Sequence, residues 1–317
     1  MEIEKYLKAG EIAVQVKEFA RGLIKPGMKL IDIAEAVDGK ILELGGEFAF
    51  PLNLSLNEIA AHFTPGPDCE IVAEGILKVD IGVSVDGFIA DTAFSVDLTE
   101  DGKYKGMIEL NEKILSSVKE RILGNRQLGI GNSKLEVKDV GDVVQDVLEK
   151  WNKEKGGRFS VIKSLSGHEL GRDKIHAGLT ISNHRNENET ALLGRAVAIE
   201  PFVTTGAGDV REGEVGGIYV LKRDGQVRDR DGRVVLKYIK ETFATRPFCL
   251  RFLAKAIGNK KLEIDLSLLK LRFILKGMVK QGILYEYPML IEKSRGVVSQ
   301  AEDTFLVTGD GVVCTTG

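Results

Sequence analysis

The sequence predicts an α+β fold of two similar halves sharing one core, with a helical insert in the second half. Three observations point there. Segments alternate as helix pair, strands, helix pair, strands. Asp86-Gly87, flanked by two long apolar runs, is the strongest short signal for a β-hairpin. A basic helical stretch, 235–285, interrupts the strand pattern, which resumes at Gly296. At 317 residues the chain exceeds one ordinary core, so one large domain or two joined ones are expected. No convincing residue-level repeat relates the halves.

Taken in order, residues 3–24 place Ile3, Tyr6, Leu7, Ile12, Val14 and Val16 at roughly helical spacing, and Lys25-Pro26-Gly27 stops them. A second helix spans 30–44 and ends at Gly45-Gly46. Residues 77–85 and 88–96 are the hairpin strands, helices return at 103–122 and 135–153, and a strand-rich stretch covers 159–224. The stretch 235–285 is mostly helical and holds eleven Lys and Arg against three acids, a net of +8. The whole chain is −3, so the remainder carries −11. A strand-like piece, 296–313, closes the pattern.

Composition excludes several classes. With 43% apolar and 29% charged residues the chain is globular, not disordered or fibrous. Aromatics at 6% leave little surface for stacking bases, and the net charge gives no reason to expect DNA as a direct partner. Cys69, Cys249 and Cys314 are far apart and form no CxxC pair, which argues against a disulfide scaffold or thiolate zinc site. No run of 18 apolar residues predicts a membrane span. The opening residues lack the basic start and apolar core of a signal peptide, so a cytoplasmic location is expected.

The hairpin is the most informative segment. If Asp86 and Gly87 form a two-residue turn, Val85 opposes Phe88 and Gly82 opposes Asp91. Asp80 shares a face with Gly82, so Asp80 and Asp91 become diagonal neighbours, roughly 7–8 Å apart. Two carboxylates on an otherwise apolar hairpin repel each other unless a positive charge lies between them. The competing reading is that one of them faces solvent across a bulge.

Histidine is scarce, with only His62, His168, His176 and His184. His168-Glu169 does not continue into HExxH, because position 172 is Arg. His176, in Ile175-His176-Ala177-Gly178, read alone is more often a turn or core residue than a ligand, and His184 lies in a polar loop and is given no role. His62, in a neutral, small-residue context, is a candidate proton carrier. Glu200 and Glu302 each sit inside an apolar strand run, 196–203 and 297–307. Singly, an exposed edge explains either one. Four such acids with one histidine are harder to explain that way. Two divalent cations would neutralise four carboxylates, and an oxygen-rich set with one imidazole suits Mn, Fe(II), Co or Zn. There is no GxxxxGK[ST] phosphate loop and no GxSxG elbow, and Gly206-Ala207-Gly208 has Arg211 where a dinucleotide fingerprint needs glycine.

Five segments then act together: Asn57-Glu58-Ile59-Ala60-Ala61-His62-Phe63-Thr64-Pro65, Lys78-Val79-Asp80-Ile81-Gly82 through Asp91, Gly167-His168 through His176-Ala177-Gly178, Ala198-Ile199-Glu200-Pro201-Phe202, and Ser299-Gln300-Ala301-Glu302. Over nearly the whole chain this set resembles the dinuclear-metal enzymes of the pita-bread (creatinase/aminopeptidase) fold, specifically type 2 methionine aminopeptidases of the short, archaeal-like form. The resemblance implies two pseudo-symmetric halves around a curved antiparallel sheet. It also implies a single catalytic domain, 1–317, with 235–285 as a basic, winged-helix-like insert subdomain of the kind that separates type 2 enzymes from type 1. By position, Asp80 would chelate one of two divalent ions, His168 and Glu200 the other, and Asp91 and Glu302 would bridge them. His62 and His176 would lie just outside, contacting the scissile peptide, and Phe50, Pro51 and Asn53 would help form the methionine pocket.

The implied activity is removal of the N-terminal methionine from nascent chains and peptides with a small second residue, by hydroxide that the two metals activate. The expected enzyme is a cytoplasmic monomer. Asp303 follows Glu302 where close relatives would carry histidine, and as a strand neighbour it should point away from the metals. The polar loop 183–190 supports no reading. The nearest rival is a prolidase or Xaa-Pro aminopeptidase of the same fold, disfavoured by the 57–65 motif and the insert. The other is a non-catalytic relative binding RNA or a partner, which would be expected to have lost ligands. The basic insert reads as a solvated helical wall beside the cleft, with proximity to ribosomal RNA as the competing reading.

Overall fold

A computed structural model describes residues 2–124 and 135–317. The first half contains helices α1 (Ile3–Leu23) and α2 (Leu30–Glu43), followed by strands β1 (Glu47–Phe48), β2 (Asn53–Leu56), β3 (Ile59–Ala61), β4 (Ile76–Val85) and β5 (Phe88–Asp97). The second half has α3 (Lys105–Gly124), α4 (Val137–Lys155), β6 (Ser160–Val161), β7 (Ser166–Leu170), β8 (Thr180–Ser182), β9 (Arg195–Ile199) and β10 (Phe202–Thr204). Strand β11 (Val210–Leu221) leads into α5 (Arg230–Phe243), β12 (Phe248–Cys249), α6 (Leu250–Gly258) and α7 (Leu268–Lys280). The chain returns through β13 (Leu284–Glu292) to β14 (Val298–Gln300), β15 (Asp303–Thr308) and β16 (Gly311–Cys314).

The expected register is observed. Asp86 and Gly87 both adopt positive φ, the geometry of a type I′ turn, and Val85 pairs with Phe88 and Gly82 with Asp91 without a bulge. Beyond β5, strand β4 pairs on its other edge with β1 and β2. The second half carries the antiparallel order β16-β15-β9-β7-β8. Each half lays its helix pair on its sheet. Ala9, Ile12, Ala13, Val16 and Ala20 of α1 pack with Leu77, Val79 and Phe94, while α3 and α4 pack with Val197, Ile199 and Phe305. The expectation of one shared core is therefore corrected: each half buries its own apolar cluster, because each sheet has its own helix pair to cover it. A smaller cluster, including Tyr6, Phe50, Phe88, Leu170 and Leu306, bridges the two.

The halves meet along β5 and the 300–304 segment in an unusual ladder. Only Ala93 and Glu302 exchange backbone hydrogen bonds, at 3.3 and 3.0 Å. On either side a hydroxyl replaces the partner backbone. Thr304 Oγ1 accepts from the Asp91 N–H and donates to the Asp91 carbonyl, both at 2.8 Å. Ser95 Oγ accepts from the Gln300 N–H and donates to the Gln300 carbonyl, again at 2.8 Å. The backbones of Asp91 and Glu302 are thus locked in mutual register.

The insert buries a cluster of its own, with Val235, Ile239, Phe248, Leu253, Leu271 and Leu275 at its centre. Its first helix begins at Arg230, earlier than the expected boundary of 235, because Asp229 caps it by accepting from the Gly232 N–H at 2.7 Å. The charge split between insert and body has a structural basis. Arg251, 1% exposed, donates to Asp38 of α2 at 2.8 Å and to the Pro65 carbonyl at 2.6 Å. Arg272 forks onto Asp68, and Arg246 reaches Glu47 at 2.8 Å. Three of the insert's arginines thus dock it on acids of the body.

Candidate metal centre

The inner face of the sheet collects the acids. Asp80 on β4 and Asp91 on β5 lie diagonally across the hairpin, as its register requires. Glu200 and Glu302 were expected within continuous strands. Each instead sits at an interruption, Glu200 between β9 and β10, Glu302 between β14 and β15. Pro201 accounts for the first break, since it has no N–H to continue a ladder. His168 on β7 turns Nε2 toward Glu200 Oε1 at 3.7 Å and Asp91 Oδ2 at 3.8 Å. Ligand atoms of Asp91, His168 and Glu302 lie within 4.8 Å of one another.

Burial, followed by the charges of Asp80 and Glu200, pushes the Asp91 carboxyl well above its ordinary range; burial followed by Asp91 and Glu200 does so for Glu302, and burial followed by Asp80 for Glu200. Burial raises Asp80 to about 7, against a smaller opposing effect of hydrogen bonding. Burial lowers His168 to about 3, with His176 adding to the effect. Asp80 Oδ1, Asp91 Oδ1 and both Glu302 oxygens are buried without a hydrogen-bond partner. Four carboxylates in such a place leave lone pairs and negative charge that divalent cations would satisfy, and the single neutral imidazole completes an O-rich, N-poor donor set. The residues fit the group.

The two remaining candidate histidines lie at the rim. His62 has φ +69, with its N–H donated to Asn53 Oδ1 at 3.0 Å and its Nδ1 3.3 Å from the Pro288 carbonyl. His176 meets His168 edge-on, ring centroids 4.4 Å apart. Both line a cavity of about 350 Å³ with the five metal candidates, Phe50, Asn53, Phe202, Ile218, Tyr287 and Leu290. Phe50 packs against Gly82, where a β-carbon would come within 2.3 Å of its ring. Pro51 does not line the cavity; its carbonyl accepts from Asn53 Nδ2 at 3.0 Å. Asp303 points to the opposite side, against Lys17 at 3.1 Å and Thr316 Oγ1 at 2.9 Å, and His184 is held by the Arg185 carbonyl outside the cavity.

The metallopeptidase family M24 model matches residues 4–308. The chain belongs to metallopeptidase family M24. Among M24 relatives, the methionine aminopeptidase of Thermococcus kodakarensis is 40% identical over 99% of both chains. That of Methanocaldococcus jannaschii is 37% identical over the full length of both. The chain therefore stands with the methionine aminopeptidases of the family. Its fold matches solved structures of a thermophilic Arx1 (TM-score 0.77, 16% identity, 99% of this chain and 90% of that one) and of the methionine aminopeptidase of Thermotoga maritima (TM-score 0.63, 20% identity, 99% and 96%). As an M24 metallopeptidase it binds divalent metal. Among the described residues no helix is long and apolar enough to cross a membrane.

Sequence reasoning passed over several residues that shape this M24 site. Gln300 Nε2 donates to Glu200 Oε2 at 3.2 Å, and its period-two spacing from Glu302 was the available hint. Buried Asn183, from the loop that supported no reading, donates to the Glu200 carbonyl at 2.9 Å and the Leu165 carbonyl at 3.2 Å. Tyr287 packs edge-on against His62, and Thr245 and Pro247 bring the insert to the cavity wall. No local pattern marks these three.

Proposed function

We propose that this chain removes the N-terminal methionine from nascent proteins and peptides with a small second residue, through two divalent ions held by Asp80, Asp91, His168, Glu200 and Glu302. Those five side chains would supply the ligands, four carboxylates and one imidazole. The observation that carries the reading is a cavity lined by Phe50, Phe202, Ile218 and Leu290 and also by the buried acid cluster. An unbranched apolar side chain fits the apolar side, which places the peptide bond that follows it beside the acid cluster, so cleavage falls at the first peptide bond. The relatives named methionine aminopeptidases, matched over full length, favour this substrate over a proline-directed one.

Bound divalent ions supply a lowered water pKa and a polarised carbonyl. The chain supplies orientation and proton handling. Enclosure lowers His62 to about 4, so it is neutral at physiological pH. Its Nδ1 proton points to the Pro288 carbonyl, which leaves Nε2 as an acceptor. His176, at the rim, offers a donor to the carbonyl oxygen as charge develops there. The domain reading stays as one catalytic unit, 1–317, with the basic insert forming a cavity wall. It acts as a monomer in the cytoplasm, where nascent chains carry that methionine.

The test is to strip the protein with chelator, restore Mn, Co, Fe(II) or Zn singly, and assay Met-Ala-Ser against Ala-Pro peptides. Cleavage of Met-Ala-Ser with at least one metal is expected. Activity only on the proline substrate, or none with any metal, would overturn the reading.

A further inference from the structure

Between Thr245 and Pro247, the insert residues that line the cavity, lies one buried guanidinium. Arg246 is 7% exposed and sits between α5 and β12, after a strained turn in which Ala244 takes φ +52. Its Nη1 donates to Glu47 at 2.8 Å and to the Phe48 carbonyl at 3.1 Å, and Nη2 donates to the Thr242 carbonyl at 3.0 Å. Nε pairs with Asp173 Oδ1 by charge at 3.2 Å, without a hydrogen bond. Thr245, beside it, donates its hydroxyl to the Asp173 carbonyl.

Asp173 is itself held in the left-handed region, φ +55, in the turn closed by hydrogen bonds between Gly171 and Lys174. Its N–H donates to the Gly87 carbonyl at 2.8 Å, and a β-carbon on Gly87 would fall 2.7 Å from its carboxylate. The turn is therefore clamped between the tip of the metal-bearing hairpin and the insert. Lys174, which closes it, and Ile175 and His176, which follow, all line the cavity, and Phe50 follows the segment held at Glu47 and Phe48.

We propose that Arg246 is a positioning residue for the peptidase reaction. It acts through Asp173 to set the 171–176 loop, and so the reach of His176, and through Phe48 to set the wall bearing Phe50. The insert thereby serves as a splint for the catalytic rim. Neither partner is a metal candidate, so metal binding should not depend on the clamp. The inference rests on the aminopeptidase reading only for its substrate.

The experiment uses metal-reloaded enzyme and Met-Ala-Ser, with Arg246→Leu, Arg246→Lys, Asp173→Asn and each in a His176→Ala background. Arg246→Leu should lower kcat/KM about tenfold or more with unchanged metal affinity by calorimetry. Arg246→Lys should recover part of the loss, since one cation restores charge but not the fork. In the His176→Ala background, Arg246→Leu should cost less than about threefold more, as expected of residues acting through one another. Independent effects that multiply, or a kcat/KM within twofold of the parent, would overturn the proposal. If Arg246→Leu does not fold, Asp173→Asn carries the same comparison. Hydrogen exchange across 171–176 should quicken in Arg246→Leu whatever the substrate is, so a protein inactive on methionine peptides would refute the function without deciding the clamp. Unchanged exchange there would refute the clamp.

Discussion

Thr304→Val tests the ladder that joins the halves. Valine matches threonine in shape and removes only the hydroxyl, at a position with no exposure. The Asp91 N–H and carbonyl both depend on that hydroxyl, each at 2.8 Å. Leaving a buried polar group unpaired costs about 1–3 kcal/mol, so losing both should cost about 2–6 kcal/mol. Thr304→Ser keeps the hydroxyl and loses one methyl, a smaller loss of about 1 kcal/mol. Urea unfolding of chelated protein followed by circular dichroism measures the difference, and calorimetric metal titration should show weaker binding for the valine variant. If Thr304→Val is as stable as the parent, or Thr304→Ser loses as much, the hydroxyl is not what holds Asp91 to the second half.

Other outcomes follow from single contacts. Gly82→Ala should displace the Phe50 ring, cost about 1–3 kcal/mol as overpacking and raise KM for methionine peptides; an unchanged KM would separate Phe50 from the pocket. Asp38→Ala strands the buried Arg251 charge and should destabilise by about 3–5 kcal/mol in chemical denaturation. Chelated protein should lose stability as pH rises. Asp80, raised in the folded state from 3.8 to about 7, binds more protons folded than unfolded in that window, and the other raised acids act in the same direction. His62, His168 and His176, all lowered, act the other way below about pH 6.5, but four raised acids outnumber them. The melting temperature of the chelated protein should therefore be higher at pH 5 than at pH 8, with added metal restoring it at pH 8; the reverse order would contradict the buried-acid argument. Glu200→Ala and Asp91→Ala should each abolish turnover in the peptide assay with little loss of secondary structure.

The hairpin was legible because a two-residue turn leaves one register, and register alone decides which face Asp80 and Asp91 share. The isolated acids at Glu200 and Glu302 stood out against apolar surroundings, yet their place at strand interruptions did not, because continuous hydrophobicity conceals a break. The count of cores was misread for a related reason: periodicity shows that a helix has an apolar face, not which sheet covers it. Arg246, Asn183 and Thr304 were invisible locally. Their partners Glu47, Glu200 and Asp91 are distant in sequence, and a buried arginine looks like any other member of a basic run.

The ladder between β5 and the 300–304 segment also has a consequence for biosynthesis. Asp80 and Asp91 are made early, but the carboxylate and hydroxyl that complete their surroundings arrive with Glu302 and Thr304. Contacts of such long sequence separation form late and slowly. A processing enzyme for newborn chains is therefore inert for most of its own synthesis. On the proposed ligand set four of the five side chains precede Glu302, and the site stays incomplete until residues 302–304 have emerged.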